Sequence, residues 1–331
     1  MLVLGGGTML LGGWQALRQT DLKLLLAYGT VSQLGFLAVL VGFGTRDAAL
    51  AGLTMLVAHA LFKGCLFLVV GVVDHSAGTR DLRELSRLRR TMPGLAVVAA
   101  LALASMAGLP PLIGFVAKEA AFAALLDGGA APGGPSSTTS LAVLAVVVLG
   151  SALTAAYTLR FWFGCFGERR DARGVPVEPT ALHRPSAAFV AVPAALAVAS
   201  LALGPVSGLL EPLLEGYTGL FVEPADPASL GLWHGLNVPL ALSAVALGLG
   251  AALGVGRRVL PRAPGAPRSV TGSDPFFAVG SRFLDRTSVE VTGAVQRESL
   301  QLSLSAVLVV VVALPGGALL LGMPWSVEVR W

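Results

Sequence analysis

His59 and Lys63 stand four residues apart inside the apolar run 48–73, and Lys118 stands inside a second apolar run, 94–126. Residues four apart share one face of a helix, so the first run sets an imidazole beside an amine. A charged side chain at mid-membrane costs roughly 2.5–3.5 kcal/mol on insertion scales, which makes these positions functional candidates by default. Burial disfavours an ammonium, so an amine in such a place is poised to exchange its proton, and an imidazole one turn away can pass that proton on. Residues of these types at this spacing suit a proton relay. The alternative for Lys63 is a side chain that snorkels to the surface, but it lies far from either end of its run.

Lys118 follows Gly108-Leu109-Pro110-Pro111-Leu112-Ile113-Gly114. Each proline removes a backbone donor and clashes with the preceding turn, so this stretch predicts a broken helix. Broken helices at membrane depth persist where they are buried in protein or line a cavity, and transporters use them at ion sites. A packing kink with a lysine near the interface is the plainer alternative. Glu119 is adjacent, but on a helix it points about 100° away from Lys118 and is no automatic ion-pair partner. On the preceding run, Lys23 either supports the relay or anchors its end as Arg18 does, while Tyr28, Thr30, Ser32 and Gln33 could wet its inner half. Taken singly, such hydroxyls are more often interhelical hydrogen bonds than ligands.

The elements that must hold these groups are membrane spans. Of 331 residues, 55% are hydrophobic and 13% charged, against roughly a quarter charged in a soluble domain. The mean hydropathy is +0.78. With about 20 apolar residues to a span, the pattern predicts eight, near 2–18, 24–44, 48–73, 94–126 (broken), 140–166, 187–214, 230–254 and 300–323. The fold class is therefore all-α, a polytopic transmembrane bundle. Segment 274–297 mixes Phe276, Phe277, Phe283 and Val289 with Arg282, Asp285, Arg286 and Glu290, which suits an amphipathic interfacial helix. Residues 1–166 read as a translocating core and 187–331 as a C-terminal membrane region. The chain opens part-way into an apolar segment, as if further helices preceded it.

Basic clusters at Arg80–Arg90, Arg169–Arg184 and Arg257–Arg268 alternate with loops that lack Lys and Arg, which assigns these clusters to the cytoplasmic side. The formal net charge of +4 thus reports topology, and nucleic-acid binding is not indicated. Cys65 and Cys165 lie in separate apolar runs and predict neither a disulfide nor a metal site. The glycines between Gly248 and Gly256 fall in a hydrophobic span with no strand before them, so they fail the context of a nucleotide-binding loop. No metal-ligand spacing, catalytic triad or cofactor motif is present.

Three blocks carry a resemblance. Asp21-Leu-Lys23-Leu-Leu-Leu-Ala27-Tyr28-Gly-Thr30-Val-Ser32-Gln33-Leu-Gly35, then Ala58-His59-Ala60-Leu61-Phe62-Lys63-Gly64, then Gly108-Leu-Pro110-Pro111-Leu-Ile-Gly114-Phe115-Val-Ala-Lys118-Glu119 occur in this order. Together they resemble the antiporter-like membrane subunits shared by respiratory complex I (NADH-quinone oxidoreductase chain 5) and Mrp-type multisubunit cation/proton antiporters. Val73-Asp74-His75-Ser-Ala-Gly78-Thr79-Arg80-Asp81 resembles the Mrp A subunit more than the complex I chain. The resemblance implies that Lys63, Lys118 and His59 relay protons along a central polar axis, and that the broken helix of Lys118 is the exit half of the path. The chain departs from that family in two ways. Met55 stands where many relatives have a second histidine, and the family's earlier helices, with an essential glutamate and another lysine, have no counterpart here.

The resemblance implies a multi-pass subunit of the bacterial cell membrane that exchanges Na⁺ or a similar cation for H⁺, with no cofactor. Its partners would be other membrane subunits and the lipid bilayer. The same helices in a complex I-type reductase are the second reading, and a non-conducting scaffold or gene fragment the third.

Overall fold

The computed structural model describes residues 1–169, 177, 180, 185–224, 227–259, 309, 312 and 313. Met1–Pro261 form one compact unit and Arg262–Trp331 another; the elements below belong to the first. The amphipathic segment 274–297, the linker at 261–272, Arg170, Arg173 and Arg184, and most of the last expected span lie outside the described residues.

All regular structure among the described residues is helical. Leu2–Arg18 (α1), Leu22–Val41 (α2) and Arg46–Ala77 (α3) are followed by the short Leu88–Thr91 (α4). Pro93–Ala107 (α5) and Ile113–Asp127 (α6) are the two halves of the broken helix, and Ser137–Cys165 (α7) and Ala187–Leu203 (α8) come next. A 3₁₀ turn at Ser207–Leu210 leads into Glu211–Thr218 (α9), and Val238–Val259 (α10) is the last described helix. Local chemistry sets the starts. Asp21 accepts from the amides of Lys23 and Leu24 at the head of α2, Thr45 caps α3, Ser136 caps α7 and Ser186 caps α8. Each supplies an acceptor that the first helical turn lacks.

Among the described residues, α2, α3 and α7 are each long and apolar enough to cross a membrane. Two expectations are corrected. The run 187–214 is not one straight helix: α8 stops at Leu203 and the chain turns by 100° into Ser207–Thr218, giving a second break. A Cβ added at Gly204 would overlap the carbonyl oxygen of Pro111, so the second break is packed onto the first. The run expected from 230 becomes helical only at Val238, because Asn237 caps the helix there through its Oδ1 on the amide of Leu240, 2.8 Å.

Helix α3 is the hub, packed on α2, α5, α6 and α8, while α7 holds α1, α5 and α10. Helices α1 and α2 approach almost to backbone contact: a Cβ on Gly35 would stand 2.5 Å from the Met9 amide nitrogen, and one on Gly12 2.6 Å from that of Ser32. Small residues permit such approach in lipid, where dispersion replaces the hydrophobic effect as the adhesive.

One end of the bundle gathers the basic loops. Arg80 donates to Asp21 at 2.6 Å and also pairs with Asp74, Leu82 N donates to Thr20 O, and Arg160 donates to Gln19 O. Arg87 pairs with Glu168. Arg83 bonds Asp81 and holds that carboxyl below the usual range. The loops after α1, α3 and α7 are thereby tied together, as alternating loop charge requires.

Gly35→Ala should force α1 away from α2 and destabilise the bundle by about 1–3 kcal/mol, the usual cost of overpacking. Gly7→Ala, where nothing lies within 4 Å of the new Cβ, should leave thermal unfolding in detergent unchanged. Equal losses in the two variants would show that the close contact does not organise these helices.

Candidate proton-relay site

The break dictates the geometry at Lys118. Helix α5 ends at Gly108, whose φ of +88° is open to glycine without strain. The carbonyls of the last turn then need donors from outside the helix. Those of Ala104 and Ser105 accept from the amides of Gly108 and Leu109. Those of Met106 and Ala107 accept from Lys118 Nζ, at 3.1 and 2.7 Å. The lysine comes from the second turn of α6 and reaches back across the break to complete α5, where a cation also suits the negative end of the helix dipole. Its stem lies so close to Gly108 that an added Cβ there would meet Lys118 Cδ at 2.7 Å. Ser105 closes the joint: its hydroxyl accepts from Gly114 N at 3.3 Å and from Ser200 Oγ of α8 at 2.8 Å.

Lys63 is equally enclosed, with 4% of its surface exposed, as for Lys118. Its Nζ donates to Leu26 O of α2 at 3.0 Å and lies 5.8 Å from the centre of the Tyr157 ring of α7. An ammonium has three donors; Lys118 uses two on backbone and Lys63 one, so each amine keeps a direction in which a proton can be passed. His59, one turn before Lys63 on α3, stacks edge-on to Phe62, and its Nδ1 is buried with no hydrogen-bond partner. Among the described residues no hydrogen bond or ion pair joins Lys63 to Lys118, so protons moving between them would need intervening water.

Behind the break, a cavity of about 320 Å³ lies between α5, α7 and α10, lined by Ala104, Ala107, Thr158, Trp162 and Leu247 among others. The last turn of α5 therefore has Lys118 on one side and an apolar groove on another.

The supporting residues divide. Gly108, Pro110, Pro111 and Gly114 lie at the break as the sequence predicts, and Glu119 is buried on α6 but turned away from Lys118, with Oε1 accepting from Asn237 Nδ2 at 3.2 Å. Lys23 is exposed at the basic end and joins no part of the site. Tyr28 is half-buried, and Ser32 spends its hydroxyl on Met9 O of α1 at 2.7 Å, a packing bond. Sequence reasoning missed Tyr157, Thr154 and Asn237. Gln33 Nε2 donates to Thr154 at 3.2 Å, and the Tyr157 hydroxyl lies beside both residues, so a polar node adjoins Lys63. Thr154, Tyr157 and Thr158 recur at helical spacing inside an apolar span, a stripe that could have revealed the face of α7 turned to the lysine. Asn237 could have been found as a helix cap.

Known proteins resemble this chain in sequence and fold. Residues 1–133 match the family described as NADH:quinone oxidoreductase/Mrp antiporter, TM. The A/B subunit of a probable K(+)/H(+) antiporter of Rhizobium meliloti (strain 1021) is 38% identical over 248 residues, 74% of this chain and 24% of that protein. In the structure of the Mrp complex from Dietzia sp. DQ12-45-1b, one chain is 37% identical with a TM-score of 0.69, covering 99% of this chain and 35% of that one. Respiratory complex I from Thermus thermophilus with bound NADH gives a TM-score of 0.53 at 26% identity, over 76% of this chain and 44% of its counterpart. The chain thus spans about a quarter of the curated relative and about a third of the matching Mrp chain. Through residues 1–133 it belongs to the NADH:quinone oxidoreductase/Mrp antiporter transmembrane family.

Proposed function

We propose that this chain contributes one section of the proton path in an antiporter of several subunits that exchanges a monovalent cation, Na⁺ or K⁺, for H⁺. Lys63 is the central relay, His59 its shuttle, and Lys118 the terminal gate beside the break. The observation that carries this reading is the second amine: Lys118 holds two carbonyls that the break sets free, so its proton and the shape of the break are linked. A structural lysine could cap α5 equally well. What favours transport is that a second enclosed amine, on another helix, has a histidine one turn away and donors to spare. Residues 1–166 supply these groups, α8 and α10 pack on them, and 187–331 is the C-terminal membrane region that would meet partner subunits. Placement in an Mrp-type assembly rather than a complex I-type reductase is supported by a match to the Mrp chain along nearly all of this sequence, against three quarters for complex I.

In the assembled complex, Lys63→Ala should lower cation-driven proton exchange by roughly 10²-fold or more, the scale of a lost proton-transfer group. Lys63→Arg should fail nearly as badly, since a guanidinium does not release protons near neutral pH. Near-normal exchange in everted vesicles carrying Lys63→Ala would end the relay reading.

Lys118 allows its two roles to be separated. Lys118→Ala removes both the cap and the exchangeable proton, leaving two buried carbonyls unpaired at about 1–3 kcal/mol each; stability and exchange should fall together. Lys118→Arg keeps donors for the carbonyls but cannot release a proton, so thermal stability should recover while exchange stays lost. Transport restored by the arginine would make Lys118 a cap alone.

Reconstituted by itself in liposomes, the chain should insert but show no cation-dependent proton movement, because protons need a continuous polar route and hydrocarbon offers none. Exchange by the isolated chain would show that the longer relatives' additional segments are dispensable.

A further inference from the structure

Glu119 is as deeply enclosed as the two lysines, at 4% exposure. Its neighbour Lys118 is committed to α5, and Glu119 makes no ion pair among the described residues. Only Oε1 is held, by Asn237 Nδ2 at 3.2 Å, while Oε2 is buried with no partner. Buried polar atoms are nearly always paired, so a carboxyl oxygen left open in an enclosed site calls for an explanation. Asn237 faces two ways. Its Oδ1 accepts from the Leu240 amide and caps α10, which leaves its amide free to donate to Glu119 alone. The cap thus fixes the amide flip and aims its N–H at one carboxyl oxygen. An unpaired carboxylate enclosed in apolar surroundings is costly, and a proton on the open oxygen removes its charge.

We propose that Glu119 is a second proton-carrying group on α6, taking and releasing a proton at Oε2, and that Asn237 is its positioning residue. In the uptake step an O–H bond forms at Oε2 as one breaks in a hydronium ion, which is left as H₂O; release is the reverse. One turn of α6 then bears a cationic exchanger tied to the C-terminal end of α5 and an anionic one tied to the start of α10. The transport role rests on the antiporter reading above; the proton-carrying chemistry of Glu119 does not.

The test reads the two separately. Dicyclohexylcarbodiimide adds a protonated carboxyl across one of its C=N bonds and rearranges to a stable N-acylurea, so it marks carboxyls that carry a proton in apolar surroundings. Membranes containing the complete complex are treated with it and the adduct is located by mass spectrometry. An adduct at Glu119 is expected, and its absence when other carboxyls of the complex are labelled would overturn the proposal. Asn237→Ser keeps a cap for α10 but cannot reach Glu119; labelling should rise several-fold because both oxygens are then open. Asn237→Ala, which loses the cap as well, should label like Asn237→Ser. Unchanged labelling in both would remove Asn237 from the site. Glu119→Gln keeps the acceptor for Asn237 and should assemble normally while losing exchange; full exchange by an assembled Glu119→Gln complex would overturn the relay role. If Lys63→Ala also transported normally, the antiporter reading would fail instead, and the labelling result would stand.

Discussion

Two carbonyls left without amides govern this fold. The Gly108–Gly114 stretch ends one helix and begins another inside the bundle, and α5 must find donors for Met106 and Ala107 where water is scarce. A lysine amine supplies both. In lipid an unpaired carbonyl costs several times what it would at an aqueous surface, so the break and the buried amine each depend on the other. Without the break the lysine would be an unmatched charge; without the lysine the break would expose raw backbone. The coupling gives the arrangement mechanical content, because withdrawing a donor from those carbonyls changes what holds the last turn of α5.

The rest of the bundle steadies that joint, with an apolar groove on one side of it. Ser105 and Ser200 stitch the break to α8, and the turn after α8 packs Gly204 against Pro111. At the basic end, guanidinium groups fasten the loops after α1, α3 and α7 to one another. Those pairs are exposed and individually weak, but they bridge segments far apart in sequence and set the register in which α2, α3 and α7 present Leu26, Lys63 and Tyr157. Opposite Lys118, the apolar cavity leaves space beside Ala107.

The two amines are held differently. Lys118 is bound to backbone at the end of a helix, a site that a cation fits electrostatically. Lys63 is bound to a carbonyl within α2 and flanked by an aromatic ring, with the Gln33–Thr154–Tyr157 node beside it. Gln33 Oε1 and the imidazole Nδ1 of His59 remain unpaired in the protein, and polar atoms in that condition are where internal water collects. Such water would supply the links that direct contacts between the lysines do not.

Much of this was legible in the residues alone. Long apolar runs determine helices, because backbone in lipid has to satisfy itself; Asp21, Thr45 and Ser136 mark where they begin, and the double proline marks where one must stop. A lysine and a histidine four apart share a face whatever surrounds them. These are local consequences of spacing and backbone chemistry. Tertiary structure decided what those faces meet. Nothing in the local sequence of α6 says that Lys118 turns back to α5 while Glu119 reaches forward to an asparagine 118 positions away. Ser32, which reads as a wetting group, is consumed by α1, and Lys23 stays at the surface, because helix rotation within the bundle follows from glycine-to-backbone contacts between distant segments. The bend after α8 was equally hidden, since an apolar run reports burial in lipid or protein alike and says nothing of direction. Periodicity and caps are properties of one segment; the partner of a buried polar atom is a property of two.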